Sequence, residues 1–182
     1  LAAGHGTRMQ SEVPKVLHQV GGLPMIDHVL DTVEAVSPDK VVVVIGPDMG
    51  DVGRACRHHT IVVQEERLGT GHAVLQASAT LKGFGGNILV VFGDTPLLTA
   101  ETILLMKRAL DVNRKNILAV LGFEPEIPKG YGRIRCKRDG TIEAIIEELD
   151  ASSEDLKTTL CNSGVMIFRS EVMFQELVKV RN

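Results

Sequence analysis

The sequence predicts an α/β fold in which helices sandwich a Rossmann-like, mainly parallel mixed sheet. Three observations lead there. Continuous β-branched runs such as KVVVVIG at 40–46 read as strands buried on both faces. These runs alternate with stretches of helical apolar spacing. Polar, glycine-bearing turns follow three of the strand ends, where open sheets of this kind bind ligands.

Each element has its own justification. LAAG at 1–4 reads as the end of an apolar strand whose beginning lies outside these residues, and it feeds a glycine turn. LPMIDHVLDTVEAV at 23–36 sets Met25, Val29, Val33 and Val36 at helical spacing, with Pro24 tolerated in the first turn. After the strand at 40–46, TIVVQ at 60–64 is a second buried strand, and TGHAVLQASATL at 70–81 reads as helix. NILVVFGD at 87–94 is a strand ending in an acid, ETILLMKRAL at 101–110 a helix and ILAVLGF at 117–123 another strand. The last third changes character. YGRIRCKRDGTIEAIIEE at 131–148 looks like two strands about Asp139-Gly140, a hairpin signal, and CNSGVMIF at 161–168 is a strand before a final helix from about Ser170. No repeat or low-complexity linker divides the chain, so 1–182 reads as one domain.

Composition removes several function classes. Apolar residues make up 44% and charged residues 24% of the 182 residues, as in soluble globular proteins rather than disordered chains. A net charge of -3 offers no basic stripe for a nucleic acid, and 3% aromatics leave no stacking platform for single strands. Cys56, Cys136 and Cys161 are odd in number and widely spaced, which favours reduced cytoplasmic thiols over disulfides or a zinc site. No apolar run reaches the roughly 18 residues of a membrane helix.

LAAGHGTRM at 1–9 carries the first chemistry. It is not a dinucleotide fingerprint, because Met9 stands where the third glycine belongs, and the P-loop string is absent. What remains is a glycine turn with Arg8 within it and Lys15 close behind. Backbone N–H groups of such a turn can face phosphate oxygens at short range; an ordinary strand-to-helix turn with solvated cations is the plainer alternative. QEERLGTGHA at 64–73 and GDTPL at 93–97 follow two further strand ends, so three polar turns converge on one edge. Asp94, directly after VVFG, suits a magnesium ligand beside phosphates, with a turn cap in D-T-P as the alternative. His5, His72 and the pair His58-His59 lack ligand spacing and read as surface or helix-packing residues.

Taken together, L-A-A-G-x-G-T-R-M, the P-K-V-L-H of 14–18, L-G-T-G-H-A at 68–73, G-D-T-P-L at 93–97, Y-G-R-I at 131–134 and C-N-S-G at 161–164 form an ordered series. The series resembles the uridylyltransferase domain of bacterial bifunctional N-acetylglucosamine-1-phosphate uridylyltransferases, over nearly the whole chain. That resemblance implies a fold of the nucleotide-diphospho-sugar transferase type. It implies transfer of UMP from UTP to N-acetylglucosamine 1-phosphate with Mg2+, by in-line attack and without a covalent enzyme intermediate. It also implies roles by position. Leu1, Ala2, Gly4 and Gly6 would line the nucleotide, with Arg8 on its phosphates. Lys15 would offset charge at the α-phosphate, and Gln64, Gly69 and Thr70 would recognise uracil. Asp94 would hold the metal, and Gly132, Glu147 and Asn162 would contact the sugar. The partners implied are UTP and a sugar 1-phosphate, with no nucleic acid and no membrane; any homo-oligomer would form through a domain beyond these residues.

Three departures qualify the resemblance. Phe92 stands where members often carry tyrosine, and the family's E-x-K-D-A string reads Glu147, Glu148, Leu149, Asp150, Ala151. The chain also stops before the asparagine that completes the family's metal site and before any acetyltransferase repeats. Another sugar 1-phosphate as acceptor, or a degenerate fold that binds nucleotide without turnover, are the competing readings.

Overall fold

The computed structural model describes residues 1–4, 6 and 9–180. Two short strands, β1 (Gln19–Val20) and β2 (Leu23–Pro24), pair antiparallel about Gly21-Gly22 and deliver the chain to α1 (Met25–Glu34). That helix buries Met25, Ile26, Val29 and Val33, the stripe its apolar spacing predicts. Next come β3 (Val42–Ile45), α2 (Gly50–Ala55) and β4 (Thr60–Val63), with β3 and β4 paired in parallel. α3 (Thr70–Gln76), β5 (Asn87–Val90), α4 (Ala100–Asp111) and β6 (Leu118–Phe123) continue the alternation. The hairpin of β7 (Arg133–Cys136) and β8 (Ile142–Ile146), then β9 (Cys161–Arg169) and α5 (Ser170–Leu177), complete the described fold.

The α/β class and the mixed sheet stand as expected, with the parallel and antiparallel parts divided along the chain. β9 pairs antiparallel with β5 through Ile88↔Phe168 and with β6 through Leu118↔Phe168. It therefore lies between two strands that share one direction. β7 meets β9 at Arg133↔Cys161 and extends the sheet to β8. Leu1 and Ala2 join the two sheets: Ala2 N donates to Val44 O at 2.7 Å and Leu1 N to Val91 O at 2.6 Å, while Leu1 O accepts from Gly93 N at 2.9 Å. The Leu1 pattern, two bonds to residues two apart, is that of a parallel ladder.

The helix expected over 70–81 ends at Gln76. Ala77 N bonds Val74 O and Ser78 N bonds Leu75 O, three residues back, so the helix tightens as it reaches Ser78, Thr80 and the glycines beyond. α4 starts cleanly instead, because the Thr99 hydroxyl accepts from Thr102 N at 3.2 Å. One apolar cluster joins Ala2, Ile26, Val43, Ile45 and Val52 between α1, α2 and β3. A second packs Met106 and Leu110 of α4 on Val165 and Ile167 of β9. All three cysteines are free; Cys56 and Cys161 are buried, and burial pushes the Cys56 thiol up to about 11. Among the described residues no helix is long and apolar enough to cross a membrane.

Candidate nucleotide site

Residues 1–3 run between β3 and the stretch that follows β5, and the turns after residues 1–3, β4 and β5 enclose a cavity of about 440 Å³. Gln64 directly follows β4, and its backbone N donates to Ile45 O at the end of β3, at 2.8 Å. Leu1, Ala2, Gly4, Gly6, Gln64, Gly69, Thr70, Lys15 and Asp94 all line this one space. A larger cavity of about 630 Å³ runs among α1, β3 and β5. Its walls are mostly aliphatic, Ile26, Val29, Leu30, Val43, Ile88 and Val90 among them, and offer a triphosphate little to bind.

The first wall is the glycine turn. Gly6 has φ +62°, and a Cβ there would lie 2.5 Å from Lys15 Cβ, so glycine lets the lysine stem pass against the turn. Lys15 Nζ reaches Asp94 Oδ2 at 2.6 Å across the cavity, with the two side chains 40% and 29% exposed. The pair is half in water, so its ionic attraction adds little to stability. Its importance is the juxtaposition of one cation and one carboxylate at the mouth of a glycine turn. Arg8 and His5, assigned from sequence to this turn, lie outside the described residues.

The second wall is the turn from β4 into α3. Gly69 has φ +95°, which turns the chain sharply into the helix. Gln64 is 3% exposed, and its Nε2 donates to Gly69 O at 3.1 Å and lies 3.1 Å from His72 Nδ1. Arg67 also lines the cavity; its Nε donates to Ala3 O at 2.8 Å and its guanidinium pairs with Asp48. Sequence reasoning missed Arg67, because nothing in QEER separates it from a solvated loop cation until the turn folds back over residues 1–3.

The residues assigned to the sugar form a separate cluster just before β7, just after β8 and on β9. Asn162 N donates to Gly132 O at 2.8 Å, and a Cβ on Gly132 would come within 3.1 Å of Glu147 Oε1. A side chain at 132 would press that carboxylate aside by a few tenths of an ångström. Buried Arg133 braces the turn: it donates to Tyr131 O and approaches Glu148 Oε1 at 3.5 Å, while Glu148 Oε2 accepts from Gly130 N at 2.7 Å. The Arg133 Nε has no partner among the described residues. Asn162 Oδ1 accepts from Gly164 N at 2.9 Å, and Gly164, at φ +80°, lies under the Phe92 ring, which lines the nucleotide cavity. One aromatic ring thus separates the two clusters. Leu149, beside Glu147 on a short 3-10 turn, is 99% exposed.

For a metal, Asp94 is one carboxylate, and among the described residues no group of three His, Cys, Asp or Glu side chains gathers. A lone carboxylate fits Mg2+, which keeps several waters and takes other oxygens from substrate phosphates. It does not fit a cation needing an all-protein cage.

Comparison with known proteins gives the family and the fold. A family model described as the MobA-like NTP transferase domain matches residues 1–153. The chain is 47% identical over 182 residues to the bifunctional protein GlmU of Paramagnetospirillum magneticum, covering all of this chain and 40% of that protein. It is likewise 47% identical to bifunctional protein GlmU of Rhodospirillum rubrum, over 41% of its length. The chain thus spans about two fifths of the curated relatives it matches. A crystal structure of a putative glucose-1-phosphate thymidylyltransferase from Bacillus anthracis superposes with TM-score 0.76 at 20% identity, over 100% of this chain and 74% of the other. A UDP-glucose pyrophosphorylase complexed with UDP-glucose gives 0.72 at 18%, over 99% and 78%. At such identities these two structures speak for the fold alone.

Proposed function

The chain belongs to the MobA-like NTP transferase domain family, and from that premise we propose that it transfers UMP from UTP to N-acetylglucosamine 1-phosphate, giving UDP-N-acetylglucosamine and pyrophosphate. The observation that carries the reading is the single cavity in which the glycine turn, the Lys15–Asp94 pair and Gln64 meet. The 47% identity to bifunctional GlmU proteins supports uridine and the N-acetylated sugar over other nucleotides and acceptors.

The chemistry asks for positioning and charge. An oxygen of the sugar phosphate attacks the α-phosphorus of UTP in line; that P–O bond forms as the bond to the β-phosphate oxygen breaks, and pyrophosphate leaves. The attacking oxygen is already anionic, so no general base is needed. Lys15 would face charge growing on the α-phosphate and the leaving group. Backbone N–H groups about Gly4 and Gly6, with Arg8, would hold the phosphates. Gln64, Gly69 and Thr70 would take the base, with Leu1 and Ala2 forming the floor. Gly132, Glu147 and Asn162 would take the sugar hydroxyl and acetamido groups on the far side of Phe92. Mg2+, bound at Asp94 and by substrate oxygens, would supply positive charge to the triphosphate.

Pyrophosphate release with Mg2+, tested across UTP, CTP and GTP and across N-acetylglucosamine and glucose 1-phosphates, is the direct test. The expected result is turnover with UTP and the N-acetylated sugar. Faster turnover with CTP or GTP overturns the base assignment, and faster turnover with glucose 1-phosphate overturns the acceptor. Exposed Leu149 is the observation favouring a different acceptor. Leu149→Lys is expected to lower KM for the sugar phosphate by about tenfold, one charge-assisted contact. Because the side chain packs on nothing, thermal stability should stay within about 0.5 kcal/mol. An unchanged KM would place the acceptor phosphate away from this position.

A further inference from the structure

The Gln64 amide is built to present one face only, and two acceptors hold it there, Gly69 O and the ring of His72. The Gln64 Nε2 atom lies 3.1 Å from Gly69 O, a carbonyl that can only accept, so that end of the amide is the NH2. Its second hydrogen meets His72 Nδ1, also at 3.1 Å. On the other side of the ring, Gln76 Nε2 lies 3.1 Å from both His72 Nε2 and His72 O. Two amide nitrogens therefore claim one imidazole, and a neutral imidazole has a single acceptor nitrogen.

Burial settles the contest. Gln64 is 3% exposed; turning its amide over would set Oε1 against Gly69 O with no water to relieve it. Gln76 is only half-buried on α3, so its amide can give up the contact with His72 O, a carbonyl inside the helix, and swing its Oε1 onto the ring N–H with water at its NH2. The ring is then the Nε2–H tautomer with Nδ1 accepting from Gln64. Both Gln64 hydrogens are spent, and among the described residues none donates to its Oε1. The group left for a ligand in the cavity is a bare carbonyl oxygen.

We infer that His72 is a specificity-determining residue: by accepting from Gln64 at Nδ1 it joins Gly69 O in fixing an acceptor at the base site, favouring a pyrimidine whose N3 carries hydrogen over one whose N3 is a lone pair. Uracil fits that demand. Cytosine in the same pose sets lone pair against lone pair. This rests on the proposal that Gln64 faces the base, and it adds the residue that orients the amide. The ring touches the amide rather than the nucleotide, so its role is positioning.

The test is equilibrium binding of UTP, CTP and 5-methyl-UTP to the wild-type chain, His72→Leu and His72→Asn. 5-Methyl-UTP keeps N3–H and adds bulk, so it reports a loosened pocket without reporting amide orientation. With His72→Leu the preference for UTP over CTP should fall by about tenfold, the cost of one misdirected buried hydrogen bond. The preference for UTP over 5-methyl-UTP should hold. His72→Asn, whose Oδ1 can accept near the Nδ1 position, should restore most of the UTP preference. An unmoved UTP:CTP ratio in His72→Leu, or a parallel change in both ratios, overturns the inference. Nitrogen-15 NMR of the imidazole adds an independent readout: Nδ1 should be the unprotonated nitrogen of the neutral ring, and Nδ1–H would overturn the clamp even if no nucleotide bound. Failure of the wild-type chain to bind any of the three nucleotides, with the expected tautomer present, would instead count against the proposed function.

Discussion

Asp94→Asn should reduce magnesium-dependent turnover by about three orders of magnitude while leaving the fold intact. The amide keeps the shape of the side chain and removes the one carboxylate that lines the cavity among the described residues. Among the described residues no group of three metal-ligating side chains gathers to take its place. Stability should change little. Asp94 is 29% exposed, its partner Lys15 is 40% exposed, and a half-solvated pair of this kind contributes at most about 1 kcal/mol. Circular dichroism and thermal melting would check the fold, and pyrophosphate release across a magnesium titration would check the chemistry. Retained activity at ordinary magnesium concentrations would refute the metal role and leave Asp94 as a tether for Lys15.

Lys15→Ala should separate turnover from binding. Before nucleotide arrives, the Lys15 ammonium is already neutralised by Asp94 at 2.6 Å, so handing it to a ground-state phosphate exchanges one ionic contact for another. The net gain appears when charge builds on the α-phosphate and the departing pyrophosphate. We therefore expect kcat to fall by about a hundredfold or more and the dissociation constant for UTP to rise by about fivefold or less. Equal losses in both would mark Lys15 as a ground-state binding group. Gly6 prepares this role, because its missing Cβ is what allows the lysine stem to lie against the turn.

Much of this was legible in the sequence, and the part that was not has a common cause. The β-branched runs became β3, β4 and β5, and the Asp139-Gly140 signal became a hairpin in which Asp139 Oδ1 accepts from both Thr141 N and its hydroxyl. Local chemistry sufficed for these. The insertion of β9 between β5 and β6 was not legible, because a strand's apolar pattern says which faces are buried and not which neighbours flank it. The same limit hid His72 and Arg67. His72 is eight residues from Gln64, and the two meet only because Gly69 turns the chain between a strand end and a helix start. Read along the sequence, a lone histidine on a helix carries no sign of its partner. Conversely, Gly132, Glu147 and Asn162, far apart in sequence and linked only by family resemblance, meet where β7 begins, β8 ends and β9 runs, with Glu147 against Gly132 and Asn162 N bonded to Gly132 O.

The place of β9 in the sheet also fixes an order of events during synthesis. The described residues lining the nucleotide cavity all lie within the first 94, yet β5, which leads into Phe92 and Asp94, has on its other side a neighbour that comes much later, Met166–Arg169. Until those residues emerge, the nascent chain holds an open apolar edge on the strand that supports its own site. Pairings this distant along the chain close slowly, and an uncovered strand edge invites association with other nascent chains. Docking of β9 is what covers that edge, so chains halted before residue 166 keep it exposed.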